Sequence, residues 1–117
     1  MPYKVLICDF DGTLADTRTS VAICVRRTLQ ELCGASASLC DGEIEAVLAR
    51  GATLGATFAQ FIGQHVSGQF VTVDMCVARY RHHYAAEGLR WTTLSPGVRA
   101  CLGQARTAGV KLAVVSN

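Results

Sequence analysis

VLICDFDGTLADT, residues 5–17, opens with four apolar side chains and then sets Asp9 and Asp11 one residue apart, ahead of Gly12 and Thr13. Residues 3–10 read as a buried strand ending in polar turn residues. Residues two apart on an extended chain project to the same side. At a separation of ~4 Å and an effective dielectric of ~20, two such carboxylates repel by about 4 kcal/mol. A divalent cation, or a proton held on one of them, removes that penalty. Gly12 permits a tight turn and a close approach of backbone to ligand, and Thr13 adds a hydroxyl. Such a stretch suits a hard cation together with an anion such as phosphate. Asp16 and Thr17 read differently, as a cap for the helix that follows.

Outward from this stretch, residues 17–33 carry Val21, Val25, Thr28/Leu29 and Leu32 at the spacing of an amphipathic helix, and Gly34 supplies its stop. Residues 35–42 are small and polar, hence a loop. A short helix over 43–49 breaks at Arg50-Gly51. The pattern then predicts helices over 53–65, with Leu54, Phe58, Phe61 and Ile62 on one side, and over 73–87, with Val73, Val77, Tyr80 and Tyr84 on one face. Ser95 as N-cap and Pro96 at the first helical position start another helix, with Val98, Cys101/Leu102 and Ala105 as its buried stripe. Gly109 ends it, and residues 111–115 form a second apolar strand before Ser116 and Asn117. The predicted fold class is therefore α/β. Two parallel strands, both central and buried on both faces, deliver Asp9, Asp11, Ser116 and Asn117 to one sheet edge, where open α/β sheets bind ligands. Residues 16–87 are too long for a simple crossover and read as a helical insertion over that edge.

Composition narrows the functional classes. A net charge of +2 over 117 residues leaves no footprint for nucleic acid or a membrane surface. Arg26-Arg27 and the Arg79/Arg81 pair read as solvated helix faces. No apolar run approaches the ~18 residues of a membrane span, and the opening residues do not resemble a signal peptide. The six cysteines (Cys8, Cys24, Cys33, Cys40, Cys76, Cys101) sit inside apolar patterns without Cys-x-x-Cys spacing, so they read as buried free thiols in a reducing cytoplasm rather than a disulfide framework. His82, His83 and Trp91 read as surface and packing residues, and a zinc site at the histidines is disfavoured.

DFDGTLADT, residues 9–17, resembles the first motif of the haloacid-dehalogenase-like (HAD) phosphohydrolases, D-x-D-G-T-[LV]. Val114-Val115-Ser116-Asn117 resembles the second motif, a strand ending in Ser or Thr. The Ser95-Pro96-Gly97-Val98 run is similar to the lead-in of phosphoglycolate-phosphatase-like members. The resemblance implies a Rossmannoid parallel sheet, of which only the first two core strands are present (residues 1–15 and 88–117), with an inserted α-helical C1 cap (residues 16–87). It implies Asp9 as nucleophile, Asp11 as acid/base, and Mg²⁺ held by the Asp9 side chain and the Asp11 backbone carbonyl. Gly12, Thr13, Ser116 and Asn117 would hold phosphate, and the substrate would be a small phosphorylated metabolite. Arg50, in the cap turn Arg50-Gly51-Ala52-Thr53, is the candidate for a substrate anion, although a helix-end arginine favoured by the dipole reads equally well.

The same motif separates branches. A haloacid dehalogenase would lack an acid at position 11, and transport ATPases carry Thr there. Phosphomutases of the β-phosphoglucomutase type place a His where this chain has Val21, which favours phosphatase over mutase. The later family motifs, a Lys and a pair of acids, have no counterpart. The two lysines, Lys4 and Lys111, lie at strand starts, and no Asp or Glu follows Glu87. The expectation is the N-terminal portion of a longer phosphatase, with a non-catalytic HAD-like binding module as the competing reading.

Overall fold

The computed structural model describes residues 3–34, 41–65 and 70–116. Its elements run β1 (Val5–Cys8), β2 (Ala15–Asp16), α1 (Arg18–Cys33), α2 (Asp41–Ala49), α3 (Leu54–His65), α4 (Val73–Glu87), β3 (Thr93–Leu94), α5 (Val98–Thr107) and β4 (Lys111–Val114). The contacts divide the chain into a helical unit, Arg18–Trp91, and an α/β unit built from residues 1–17 and 92–117.

The helical unit has a core of its own. Val25 and Leu29 of α1, Ile44 of α2, Phe58 and Phe61 of α3, and Cys76 and Tyr80 of α4 form one buried cluster. Val21 and Leu32 of α1 pack against it from its margin, as the helical spacing requires. Tyr80 meets Phe58 edge to face at 6.2 Å and stacks on Tyr84 at 5.6 Å between centroids. Thr28, fully buried within α1, donates its hydroxyl to the Cys24 carbonyl at 2.8 Å, so this polar group is paired inside the core. The helix ends are written locally. Gly34 adopts φ 77° and returns its N–H to the Gln30 carbonyl, closing α1 with a left-handed cap. Thr53 and Thr72 accept the Ala56 and Met75 N–H groups at the starts of α3 and α4.

Charged groups tie α1 to α4 at the surface. Glu31 accepts from Arg79 and lies 2.7 Å from His83 Nε2, and Arg27 pairs with Glu87. Arg79 is therefore engaged across two helices rather than merely solvated. Trp91 is half-buried, with the Arg27 and Arg90 guanidiniums 5.3 and 5.7 Å from its ring centroid.

In the α/β unit, β1 and β4 pair in parallel, Val5 with Lys111 through Cys8 with Val114, and Val115 N–H extends the ladder to the Cys8 carbonyl at 2.9 Å. β2 and β3 form a two-residue antiparallel ladder. Both main strands occur where the apolar runs predict them, but they are not buried on both faces: Ile7 is 63% and Val114 58% exposed. Each has only one neighbour among the described residues, so each keeps an open edge and uncovered faces.

The start of α5 also differs from expectation. Val98 N–H reaches the Ser95 carbonyl at 3.2 Å across Pro96 and Gly97, and Gly97 sits at φ 80°, ψ −8°. That is a type II turn, with Pro and Gly at the two central positions such a turn favours. Gly97 is the N-cap, without a side-chain cap, and Ser95 and Pro96 precede the helix. The predicted stripe is only partly covered: Val98, Leu102 and Ala105 are half-buried and Cys101 is exposed. Cys101 is thus not a buried thiol; Cys24, Cys33 and Cys76 are, Cys8 is half-buried, and Cys40 lies outside the described residues. The helix ends in a Schellman arrangement. Gly109 at φ 82° donates to Arg106 and Val110 donates to Ala105, which turns the chain into β4.

Candidate active site

β1 stops at Cys8, and the chain then folds into a turn instead of continuing extended. The Phe10 carbonyl accepts the N–H groups of Thr13, Leu14 and Ala15 at 3.2, 3.0 and 3.1 Å, while Gly12 N–H reaches the Ala15 carbonyl at 2.9 Å. Asp11 therefore stands in a turn, bridged to Ala15, and the strand alternation that would align it with Asp9 does not apply. The position of Asp11 is set by this closed turn, and that of Asp9 by the end of β1.

Gly12 has φ 74°, and a Cβ built there would meet nothing within 4 Å. The glycine is needed for its backbone conformation, not for room. Leu14 and Ala15 are buried, and Ser95 N–H bonds the Leu14 carbonyl at 2.9 Å, so the far side of the turn is anchored to the segment leading into α5. Asp9, Asp11, Gly12 and Thr13 are all exposed. Thr17 occupies the position before α1 and is buried, while Asp16 belongs to β2.

The parallel register puts Cys8 opposite Val114, so Asp9 and Ser116 leave their strands at the same edge of the sheet. Ser116 is exposed, and Asn117 lies outside the described residues. Arg50 belongs to the helical unit, exposed just past the last residue of α2. The lysines sit at the other end of the sheet: Lys111 N–H bonds the Lys4 carbonyl at 2.9 Å. At the rise of a β-strand, Lys4 lies roughly 16 Å from Asp9 along the chain. No group of three or more His, Cys, Asp or Glu side chains poised for a metal occurs among the described residues. A Mg²⁺ ion commonly takes one or two carboxylates and completes its shell with water and phosphate oxygens, so the hard oxygens of Asp9 and Asp11 fit part of such a shell.

The short β2/β3 ladder and the backbone ring around the Phe10 carbonyl were not visible in the sequence. Two-residue strands carry no periodicity, and main-chain bonds leave no mark in side-chain type. The Pro96-Gly97 pair did carry a readable turn signal.

The sequence profile of the haloacid dehalogenase-like hydrolases matches residues 6–117, from within β1 to the end of the chain. The chain belongs to this family. Among curated relatives, the phosphoglycolate phosphatase of Rhodospirillum rubrum is 28% identical over 117 residues, covering 97% of this chain and 48% of its own length. Among solved structures, a candidate phosphatase from Clostridium difficile superposes with a TM-score of 0.78 at 18% identity, over 99% of this chain and 50% of that one. CbbY from Rhodobacter sphaeroides, solved with phosphate, gives 0.73 at 23% identity, over 97% and 51%. The two structures establish the fold. The chain spans about half the length of the curated relatives it matches.

Proposed function

We propose that this HAD-family chain carries the nucleophile-bearing half of a phosphate monoester hydrolase site for a small substrate of phosphoglycolate type. The observation that supports it most is the placement of Asp9 and Asp11, on a glycine turn, at the sheet edge that Ser116 also reaches. In this reading the Asp9 carboxylate attacks phosphorus and the bond to the leaving oxygen breaks. Asp11, protonated, gives its proton to the departing alkoxide. As a carboxylate it then takes a proton from the water that attacks the aspartyl-phosphate, releasing inorganic phosphate and restoring Asp9. Thr13 and Ser116 offer hydroxyls to the phosphoryl oxygens, with Asn117 beside them. The N–H groups of Gly12 to Ala15 are bonded within the turn, and neighbouring backbone N–H groups would meet the phosphoryl oxygens. Bound through the Asp9 side chain and the Asp11 carbonyl, Mg²⁺ would supply positive charge against the transferring group.

The helical unit serves as the cap in this proposal, with Arg50 as its candidate for a substrate anion and the cytoplasm as the compartment. Val21, the position where mutases of this superfamily place a His, packs against the core of the helical unit, which agrees with a hydrolase. The chain's own residues leave the site short of positive charge, so residues 1–117 alone should turn over phosphoglycolate barely or not at all with Mg²⁺. Joining the chain to the remainder of the R. rubrum relative should restore Mg²⁺-dependent release of phosphate, and Asp9→Asn should abolish it. Robust turnover by residues 1–117 alone, or a chimera that keeps its activity with Asn at position 9, would refute the proposal.

A further inference from the structure

Asp9 and Asp11 rest on different supports. Asp9 follows directly on β1, whose last residue, Cys8, pairs with Val114 and accepts the Val115 N–H at 2.9 Å. Asp11 lies in the turn closed on the Phe10 carbonyl. Among the described residues no side chain hydrogen-bonds or ion-pairs with Asp11, so its position comes from the main chain. That turn leans on a segment from the far end of the helical insertion. The Leu14 carbonyl accepts the Ser95 N–H at 2.9 Å, Ala15 pairs with Leu94, and Asp16 pairs with Thr93. Ser95 is fixed by the Pro96-Gly97 turn, where the Val98 N–H reaches its carbonyl at 3.2 Å and Gly97 opens α5 at φ 80°. Leu14 and Ala15, which receive these bonds, are buried, and Val110 is the other buried apolar residue of the α/β unit among the described ones. Exposed Asp11 therefore stands beside the most closely packed stretch of an otherwise open unit.

We propose that residues 93–97 are a positioning element for the acid/base step, with the Ser95 N–H as the contact that matters most and Gly97 as its brace. Neither residue touches substrate; both act through the Leu14 carbonyl on the turn that carries Asp11. The proposal rests on the separate roles assigned to Asp9 and Asp11 above. Proton transfer needs Asp11 within hydrogen-bond reach, ~2.6–3.2 Å, of the leaving oxygen and later of the attacking water. A misplacement of about 1 Å costs on the order of 100-fold. The ladder that carries Asp9 does not pass through residues 93–97. Loss of the Ser95 bond should thus slow the two proton-transfer events and spare the attack on phosphorus, whereas a segment that only stabilises the fold would affect every step alike.

Ser95→Pro removes the N–H, and Leu94 before it is already extended in β3, as a residue preceding proline prefers. Ser95→Ala keeps the N–H. In residues 1–117 alone, amide hydrogen exchange at Thr13, Leu14 and Ala15 should quicken at least about tenfold with Ser95→Pro and stay unchanged with Ser95→Ala, while Val115 is unmoved by either. In the chimera with the remainder of the R. rubrum relative, Ser95→Pro should lower kcat for phosphoglycolate by about 10–100-fold, with KM changed less than about threefold. It should also turn p-nitrophenyl phosphate hydrolysis into a burst followed by slow release, as Asp11→Asn does. Gly97→Ala meets no neighbour but must hold φ 80°, so it should act in the same direction more weakly. Should the proline variant not fold, Gly97→Ala carries the same comparison. Equal slowing of burst and steady state, damage from Ser95→Ala equal to that from Ser95→Pro, or turn amides that do not respond would each overturn the proposal. An Asp11→Asn burst with Ser95→Pro behaving as wild type refutes the positioning role alone. No burst with Asp11→Asn refutes the assigned roles, and the positioning role with them.

Discussion

Phe58→Ala and Ile7→Ala remove apolar side chains of similar character from the two units and should have very different consequences. Phe58 has no exposed surface, lies in the shared core of α1 to α4, and meets Tyr80 edge to face at 6.2 Å. Truncating a fully buried phenylalanine costs about 3–5 kcal/mol in lost burial and residual cavity. A folding unit of this size holds only ~4–11 kcal/mol, at roughly 0.05–0.15 kcal/mol per residue. Phe58→Ala should therefore remove roughly a quarter or more of the helical unit's stability and lower its midpoint by at least about 12 °C, at ~4 °C per kcal/mol. Ile7 is 63% exposed, so its truncation should stay within roughly 1 kcal/mol, a residual burial far below the full ~1.5–3 kcal/mol of a buried side chain. Thermal and urea melts followed at 222 nm, where the helices dominate, give both numbers. Equal losses for the two variants, or a Phe58→Ala shift under about 3 °C, would refute the division into a self-sufficient helical core and an uncovered sheet.

Further outcomes follow from the same geometry. Hydrogen bonds from Arg79, then from His83, hold Glu31 down at about 2 from its ordinary value of 4.5. A depressed carboxylate stabilises the fold above its unfolded pKa and loses that contribution as pH falls through the folded one. The stability gap between wild type and Glu31→Gln in urea melts should thus be present at pH 7 and shrink between about pH 4.5 and 2; a gap independent of pH would contradict the pairing. Gly12→Ala meets no neighbour but must hold φ 74°, at about 1–2 kcal/mol, whereas Gly12→Asn should be milder; equal effects in melts would remove the conformational reason for the glycine. Burial pushes the Cys76 thiol up to about 11, with Cys33 adding to the rise. Maleimide at pH 7 should label exposed Cys101 first and reach Cys24, Cys33 and Cys76 only on unfolding, as peptide mass mapping would show.

Much of this architecture was legible because it is carried by side-chain periodicity and by glycines. The α4 stripe of Val73, Val77, Tyr80 and Tyr84 and the stops at Gly34, Gly51 and Gly109 stand where the pattern puts them, since amphipathic faces and left-handed caps are local properties. The burial of β1 and β4 was misjudged for the converse reason. Their apolar runs report the environment the strands are built for, while the exposure of Ile7 and Val114 depends on neighbours these residues do not encode. The start of α5 was misread because Ser-Pro fits a helix cap as readily as a type II turn, and only Gly97 at φ 80° distinguishes them. At the candidate site the residue types were plain, but the device that holds Asp11 is a ring of main-chain bonds to the Phe10 carbonyl.

The central claim is that Asp9 and Asp11 have separate roles, and p-nitrophenyl phosphate separates them. Its leaving group needs no proton, so in the chimera with the remainder of the R. rubrum relative Asp11→Asn should still permit attack by Asp9 but not hydrolysis of the product. The predicted result is a burst near one equivalent of p-nitrophenolate, with phosphate recovered by acid quench and peptide mapping on Asp9. A burst with phosphate elsewhere, or steady turnover without any phosphorylated aspartate, would contradict the account.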